Sequence, residues 1–309
     1  MTKYRYDIGI DKNQIFGTET EFSGISLKTL AEIFEKEHLN IIYQKDHYNK
    51  KPTYKSWYLD KDTTISWDTG TDVLGGEISS RLLTNNKATW KEIKKILKIL
   101  KSSGAKISKC CSTQVSIDIA DIKNSEQEQD FYKTLIEVIA LYEKDMELFY
   151  MGKKYFKRQT KDHYARSIKI ILLEKLIEIE NAHIANYHDL LVYGPPELTQ
   201  SVYGIKIDEK ENMRRIEIRY PNGTLNEKIL QNYINFSLKL ITACKNGTLD
   251  QEQLAYLTRR EIKLYKDGND CIYKSNPKAF ESLIETISTS KEDVEDFTYQ
   301  YQKVLSSKK

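Results

Sequence analysis

The sequence predicts an α+β fold, in which a curved and mainly antiparallel sheet is backed by helices and followed by a helical C-terminal region. Short hydrophobic runs with period-two alternation, separated by turn residues, occupy residues 54–81 and recur at 113–119 and 202–220. Apolar residues at helical spacing fill residues 86–103 and 125–150. The two periodicities together indicate a sheet covered by helices.

The composition is that of a soluble globular protein. Of the 309 residues, 39% are hydrophobic and 30% are charged, unlike the composition of a disordered chain. The formal net charge of +3 lacks the basic excess of a dedicated nucleic-acid binder, so we expect no nucleic-acid partner.

No segment has the apolar length of a targeting or membrane segment. Residues 1–7 are polar, so we expect no signal peptide. Charged residues interrupt the longest apolar run, 168–179, so we expect no membrane span. The four cysteines form no Cys-x-x-Cys pair, which favours free thiols and a cytoplasmic location.

The first strand is predicted at residues 16–22 (FGTETEF). Because side chains alternate along a strand, Glu19 and Glu21 share one face, while Thr18, Thr20 and Phe22 face a core. Two carboxylates at this spacing repel each other unless a cation lies between them, and oxygen ligands are those that Mg²⁺ selects. A solvated edge strand is the alternative interpretation of an isolated Glu-x-Glu pair.

A helix and further strands follow. Ser26 is a suitable cap for a helix with apolar residues at Leu27, Leu30 and Phe34, and residues 40–44 predict a short strand. Residues 54–81 predict two or three antiparallel strands, with Asp60-Lys61-Asp62 as a turn between them.

Residues 86–103 predict an amphipathic helix that ends at Gly104. Its lysines lie opposite the apolar face, which favours a solvated helix face over a nucleic-acid surface. The next strand, 113–119, places Gln114, Ser116 and Asp118 in an unusual polar row.

The second half begins with a long predicted helix at 125–150 and a basic, aromatic segment that contains Arg158 and Tyr164. This segment is either a surface loop or a cover over an anionic ligand, and helical residues continue to Asp189.

A hairpin is then predicted over 202–220, with Arg215, Glu217 and Arg219 on one face. Asn226 is expected to cap a helix at 228–245. The remainder is predicted to be helical, in three segments divided at Gly268 and Pro277.

Polar rows on four predicted strand regions are expected to face the same concave side of the sheet. A face with several acids and two arginines is a poor core but suits a metal-bound phosphate, because carboxylates hold metal ions and arginine binds phosphate oxygens in pairs. The rows are Glu19 with Glu21, Asp62 with Glu77, Gln114 with Ser116, and Glu217 with Arg215 and Arg219.

The order of these motifs resembles the amidoligase family of carboxylate–amine ligases, which share the glutamine synthetase fold with glutamate–cysteine ligase. The resemblance covers roughly residues 14–245. The matching segments are FGTETEF at 16–22, Trp57 with Asp62-Thr63-Thr64-Ile65, GEISS at 76–80, IEIRY at 216–220 and NGTLN at 222–226. In one place the chain departs from the family, because Gln114 and Ser116 occupy the two histidine positions of its C-x-x-H-V-H motif.

The resemblance implies a glutamine synthetase-like catalytic domain at 1–245, with a helical extension at 246–309 packed on it. It implies ATP-dependent amide or isopeptide bond formation through an acyl phosphate, with Mg²⁺. The substrates would be an amino-acid, peptide or protein carboxylate and an amine, with no nucleic acid or membrane as partner.

Site roles also follow from the resemblance, by position. Glu21 and Glu77 would hold one Mg²⁺, and Glu19, Gln114 and Glu217 a second. Arg219, with Arg215, would stabilise the transferring phosphoryl group, and Asp62 would orient the amine or bind metal. Arg158 and Tyr164 would contact the nucleotide or the acidic substrate.

Three other functions stay open at this point. One is a phosphotransferase that uses the same residues without forming an amide. Another is a non-catalytic nucleotide- or ligand-binding protein, which the replacement of both histidines would suit because neither Gln nor Ser titrates near neutrality. A nucleic-acid-binding module ranks last, since no recognised binding motif accompanies the lysines.

Overall fold

The computed structural model describes most of the chain, in two compact units. The sheet unit comprises Lys3–Ile117 and Pro221–Asn235, and the helical unit comprises Met1–Thr2, Asp118–Tyr220 and Phe236–Lys309. The predicted division into a catalytic domain and a C-terminal extension stays a prediction. The described residues are 2–44, 55–62, 64–68, 72–122, 125–151, 167–182, 204–210 and 213–306.

The sheet unit is built on a sheet in which β1 lies between β5 and β6. The order is β2-β3-β5-β1-β6, with the two-residue strand β4 also paired to β5. The pairs are antiparallel except for β2 with β3, which is parallel. The strands are β1 (Phe16–Ser26), β2 (Ile41–Gln44), β3 (Trp57–Asp60), β4 (Trp67–Asp68), β5 (Val73–Ser79) and β6 (Thr113–Asp118).

Two helices, α1 (Leu27–Lys36) and α2 (Lys87–Ser102), accompany this sheet. Both begin as their sequences predict, because a side-chain oxygen accepts from an otherwise unpaired backbone N–H: Thr29 donates to Ser26 Oγ at 3.0 Å, and Thr89 to Asn86 Oδ1 at 2.9 Å. The ring of Trp90 stacks on Phe16 at 5.9 Å, so α2 covers the apolar face of β1.

The helical unit contains an antiparallel hairpin of β7 (Ile205–Lys210) and β8 (Met213–Ile218). Gly204, which precedes β7, lies against Tyr220, and a Cβ atom there would fall 1.8 Å from a carbon of that ring. Glycine is therefore required for this approach. The helices are α3 (Ser125–Met151), α4 (Lys169–Ala182), α5 (Glu227–Asn246, in this unit from Phe236), α6 (Gln251–Lys266), α7 (Pro277–Ile287) and α8 (Lys291–Ser306).

The long helix α3 carries buried acids that cap other helices. Glu143 accepts hydrogen bonds from the backbone N–H groups of Ile168 and Lys169, at 2.8 and 2.9 Å, where α4 begins. Asp145 accepts from the N–H of Asn276 at 2.9 Å, immediately before α7. Because the first N–H groups of a helix have no intrahelical acceptor, these carboxylates stabilise both helix starts.

The predicted α+β class with a helical C-terminal region is confirmed, while the glutamine synthetase name for the fold stays a prediction. Helices α6, α7 and α8 pack against α3. The sequence-based expectation of one helical segment beyond Pro277 is wrong, because α7 ends at Ile287 and α8 begins at Lys291. Hydroxyl groups at 288–290 compete for backbone hydrogen bonds there; Ser290 Oγ accepts from Asp293 N at 3.2 Å.

The predicted continuation of α4 to Asp189 lies outside the described residues. Within the described ranges, no helix combines the length and the apolar character needed to cross a bilayer.

Candidate functional site

Three carboxylates form a row across neighbouring strands of the sheet unit. Glu21 of β1 pairs directly with Glu77 of β5, and Glu77 pairs on its other side with Asp60 of β3. Directly opposed residues of paired strands project to the same face of the sheet, so all three carboxylates lie on one face. All are buried, and Asp60 is only 1% exposed. Adjacent like charges in a buried row favour the binding of a cation.

A second polar row lies two residues along the same strands. Glu19 pairs with Ser79 on one side and Gln114 on the other, and Ser79 pairs with Tyr58. Ser116, the other residue at a family histidine position, pairs with Gly17. The structure thus brings Glu19, Glu21, Glu77 and Gln114 onto one face of one sheet.

The opposite face of β1 is buried, as the alternation of side chains along the strand predicts. Thr18, Thr20 and Phe22 are each at most 3% exposed. Burial of this face fixes the parity of β1, since a one-residue slip would place Phe22 among the carboxylates.

Asp62 reaches the carboxylates from the turn that follows β3. Three carboxylate oxygens lie within 4.8 Å of one another, one each from Glu21, Asp62 and Glu77. Asp62 Oδ1 accepts from the backbone N and the Oγ1 of Thr64, at 2.7 and 2.6 Å, in an Asx turn. The Asp62 N–H donates to Ser66 Oγ, which donates to the carbonyl of Gly75 at 2.8 Å and so ties the turn to β5.

The Glu21 carboxylate is oriented by the chain before β6. The N–H of Ser112 donates to Glu21 Oε2 at 2.5 Å, and the N–H of Glu21 donates to the Ser112 carbonyl at 3.0 Å. On β5, Ser79 Oγ lies 3.4 Å from Glu77 Oε1.

The NGTLN segment holds this backbone in place. Gly223 N–H donates to the Cys111 carbonyl at 2.9 Å, and Thr113 N–H donates to the Pro221 carbonyl at 3.0 Å. A Cβ atom at Gly223 would lie 2.8 Å from Cys111 Cβ and 3.0 Å from its carbonyl carbon. Only glycine therefore permits this approach to the residue that precedes Ser112.

The Cys111 thiol is adjacent to this arrangement. Burial raises its pKa, and the charge of Glu21 raises it further, against hydrogen bonds from Ser108 that lower it. The raised pKa favours the protonated thiol, which is a weaker nucleophile than the thiolate.

The carboxylates of Glu21, Asp62 and Glu77 fit a Mg²⁺ ion. In an octahedral site with bonds of about 2.0–2.1 Å, ligand oxygens lie roughly 3–4 Å apart. The separations between the grouped oxygens of Glu21, Asp62 and Glu77, all within 4.8 Å, are of this order. Waters and phosphate oxygens usually complete such a site.

The predicted arginine residues belong to β8 and its end, in the helical unit. Arg219 donates a hydrogen bond to Glu217 Oε1, and an Arg215 terminal nitrogen lies 3.5 Å from Glu217 Oε2. Both oxygens of Glu217, which is 3% exposed, thus contact arginine, and its predicted role as a metal ligand stays a prediction. The predicted nucleotide contacts Arg158 and Tyr164 lie outside the described residues.

Sequence reasoning missed Asp60 and Tyr58. It treated Asp60 as part of a turn, whereas β3 includes it and aligns it with Glu77. A signal existed, because Tyr58 and Asp60 lie two residues apart in Trp57-Tyr58-Leu59-Asp60, the spacing of residues that share one face of a strand.

Comparison with known proteins agrees with these motifs. The family model described as "Putative amidoligase enzyme" matches residues 12–241. No curated protein matches the chain. Because the family model spans well over half of the chain and includes both polar rows, the chain belongs to the amidoligase family.

Proposed function

We propose that this protein is an ATP- and Mg²⁺-dependent carboxylate–amine ligase that forms an amide or isopeptide bond. The observation that carries the proposal is the grouping of Glu21, Asp62 and Glu77 within 4.8 Å, in a chain that belongs to the amidoligase family. The substrates are an amino-acid, peptide or protein carboxylate and an amine.

The chemistry requires activation of the carboxylate, because an amine cannot displace oxide from it. Transfer of the γ-phosphoryl group of ATP to the carboxylate gives an acyl phosphate and ADP. The amine then attacks the acyl carbon, phosphate leaves and the amine loses a proton. Alignment of the reactants and stabilisation of phosphoryl charge are the protein's contributions.

Glu21, Glu77 and Asp62 are proposed to hold one Mg²⁺, which when bound would neutralise phosphate charge. Asp62 fits a metal ligand better than an amine-orienting group, since its carboxylate groups with the two glutamates. The Ser112 N–H fixes the orientation of the Glu21 carboxylate, so this side chain is already ordered before metal binds.

Glu19 and Gln114, opposed on β1 and β6, offer oxygens to a second Mg²⁺. Gln114 supplies a neutral oxygen where the family has a histidine nitrogen. Arg215 and Arg219 are proposed to stabilise phosphoryl oxygens, because arginine presents several donors in a planar array.

The test is incubation with ATP, MgCl₂ and pooled amino acids, followed by assay of ADP and mass spectrometry of products. Amine-dependent ADP release with a mass for acid plus amine minus water supports the ligase. Matched reactions contain EDTA, lack amine, or use the Glu21→Gln variant, and each should release little ADP.

Two outcomes identify other functions. A phosphorylated product that forms equally without amine indicates a phosphotransferase. Mg²⁺-dependent nucleotide binding without any turnover indicates a non-catalytic binding protein, the alternative that Gln114 and Ser116 favour. Absence of nucleotide binding with and without Mg²⁺ contradicts the proposal.

A further inference from the structure

An open cavity of about 660 Å³ lies along α2 in the sheet unit. Five lysines contribute to its lining, together with Glu37 and Tyr6. The lysines are Lys91, Lys94, Lys95, Lys98 and Lys101, and the cavity is called the lysine groove below.

The lysines form one stripe because they recur every three or four residues. At a rise of about 1.5 Å per residue, the stripe from Lys91 to Lys101 is roughly 15 Å long. The other side of α2 is buried through Trp90, Ile93 and Leu97, so the stripe faces solvent.

Few acids neutralise the stripe. Lys95 Nζ contacts Glu37 Oε2 at 2.9 Å and donates to the Glu37 carbonyl at 2.8 Å. Lys94 Nζ lies 4.9 Å above the ring of Tyr4. Across the described ranges, no carboxylate pairs with Lys91, Lys98 or Lys101.

We propose that the lysine groove is a docking surface for an acidic peptide segment of a partner protein. The Lys95–Glu37 pair shows the expected contact, an ammonium group against a carboxylate at the edge of the groove. A stripe of about 15 Å suits a short run of Asp or Glu side chains, each paired with one lysine.

A nucleic acid fits the groove less well than an acidic peptide. Helix α2 contains no arginine, the residue that binds phosphate in a bidentate manner. The lining of the groove contains one aromatic side chain, Tyr6, which is 38% exposed. Proteins that bind single-stranded nucleic acid instead stack successive bases on several aromatic rings. The whole chain has 48 basic and 45 acidic residues, close to balance.

The groove and the carboxylate rows lie on opposite sides of the same sheet. Trp90 of α2 stacks on Phe16, whose side chain points away from the face that carries Glu19 and Glu21. Docking in the groove is therefore independent of the proposed reaction, and the peptide should bind without ATP or Mg²⁺.

Fluorescence anisotropy with a labelled oligoglutamate peptide tests the proposal on the full chain. We expect saturable binding that weakens as salt rises. The triple variant Lys91→Gln, Lys98→Gln, Lys101→Gln should bind about tenfold more weakly, because exposed charge pairs contribute modestly each. Glu37→Gln should bind about twofold more tightly, because it releases Lys95.

The matched control removes the same charge elsewhere, through Lys263→Gln, Lys266→Gln and Lys303→Gln at exposed positions on α6 and α8. This control should retain the affinity of the natural chain. Equal weakening in both triple variants, no binding of the peptide, or preference for a single-stranded oligonucleotide of similar charge would each overturn the proposal.

Discussion

The backbone N–H of Ser112 donates to Glu21 Oε2 at 2.5 Å, so the chain before β6 orients a carboxylate of β1. The Ser112 backbone is in turn adjacent to Cys111, whose carbonyl accepts from Gly223. Two family motifs far apart in sequence therefore meet at one carboxylate. The NGTLN segment therefore acts on Glu21 through geometry, because it positions the backbone whose N–H orients that carboxylate.

Glu21→Gln should lower ADP release by more than about 100-fold, since loss of even an outer partner of a metal ligand commonly costs about 10- to 100-fold. The change keeps the shape of the side chain but removes a charge from the proposed Mg²⁺ site. Thermal unfolding should stay close to that of the natural protein, because like charges repel in this row. Undiminished ADP release would exclude Glu21 as a ligand, and the exposed Glu126→Gln is the control.

Gly223→Ala should weaken Mg²⁺-dependent nucleotide binding by about tenfold. The new methyl group would lie 2.8 Å from Cys111 Cβ, so the backbone at 111–112 must move and carry its N–H away from Glu21. Overpacking of this kind also costs about 1–3 kcal/mol of stability. Calorimetry measures the binding.

Gly247→Ala is the control for this variant. Gly247 has φ +61°, so alanine strains its backbone, but no heavy atom of the described structure lies within 4 Å of a Cβ there. This variant should lose stability and retain nucleotide affinity. Equal affinities for the two alanine variants would contradict the positioning role of Gly223.

Mg²⁺-dependent ATP binding should be nearly flat between about pH 7 and 5.5. Histidine ligands must be neutral, so metal affinity normally falls as pH drops through ~6.5, whereas the side chains of Gln114 and Ser116 do not take up a proton in this range. The double variant Gln114→His, Ser116→His should introduce a fall over this window. Because the terminal phosphate of ATP also titrates near pH ~6, the reference is Mg²⁺ binding by ATP alone, and a steeper loss in the natural protein would show that another titrating group completes the site.

Glu137→Gln should stabilise the helical unit at neutral pH and have little effect at low pH. Burial raises the pKa of Glu137, while the charges of Lys133 and Arg259 lower it. Among the described residues, no donor reaches Glu137 Oε2. Because the folded pKa is raised, the stability contributed by the protonated group is present below the unfolded value of about 4.3 and is lost as pH rises through the folded pKa.

Thermal melting of both proteins from acidic to neutral pH checks this. The variant should melt higher than the natural protein near neutrality, and the two should converge as the carboxyl becomes protonated. The exposed Glu126→Gln on the same helix should give no such divergence. A natural protein that gains stability relative to Glu137→Gln as pH rises would contradict the direction of the shift.

The main strands, helix starts and first carboxylates were predictable because they depend on local properties. The alternation along residues 16–22 places Glu19 and Glu21 on one face, and Ser26 and Asn86 begin their helices through contacts three residues away. Such contacts need no knowledge of the remaining fold. The motif order likewise led to the family that residues 12–241 match.

Other features depend on pairing between distant segments. Asp60 joined the carboxylate row only through the register of β3 against β5, and Asp62 reached Glu21 and Glu77 through a turn tied to β5. The buried capping acids of α3 were equally invisible, because Glu143 meets the start of α4 only after packing.

The sequence by itself determined which side chains of each strand share a face, and through its motifs the family. Only the tertiary structure decided which carboxylates are neighbours, that Ser112 orients Glu21, and that Gly223 lies against Cys111. The physical reason is that side-chain parity follows from the backbone of one strand, whereas register and close approach depend on the packing of many residues at once.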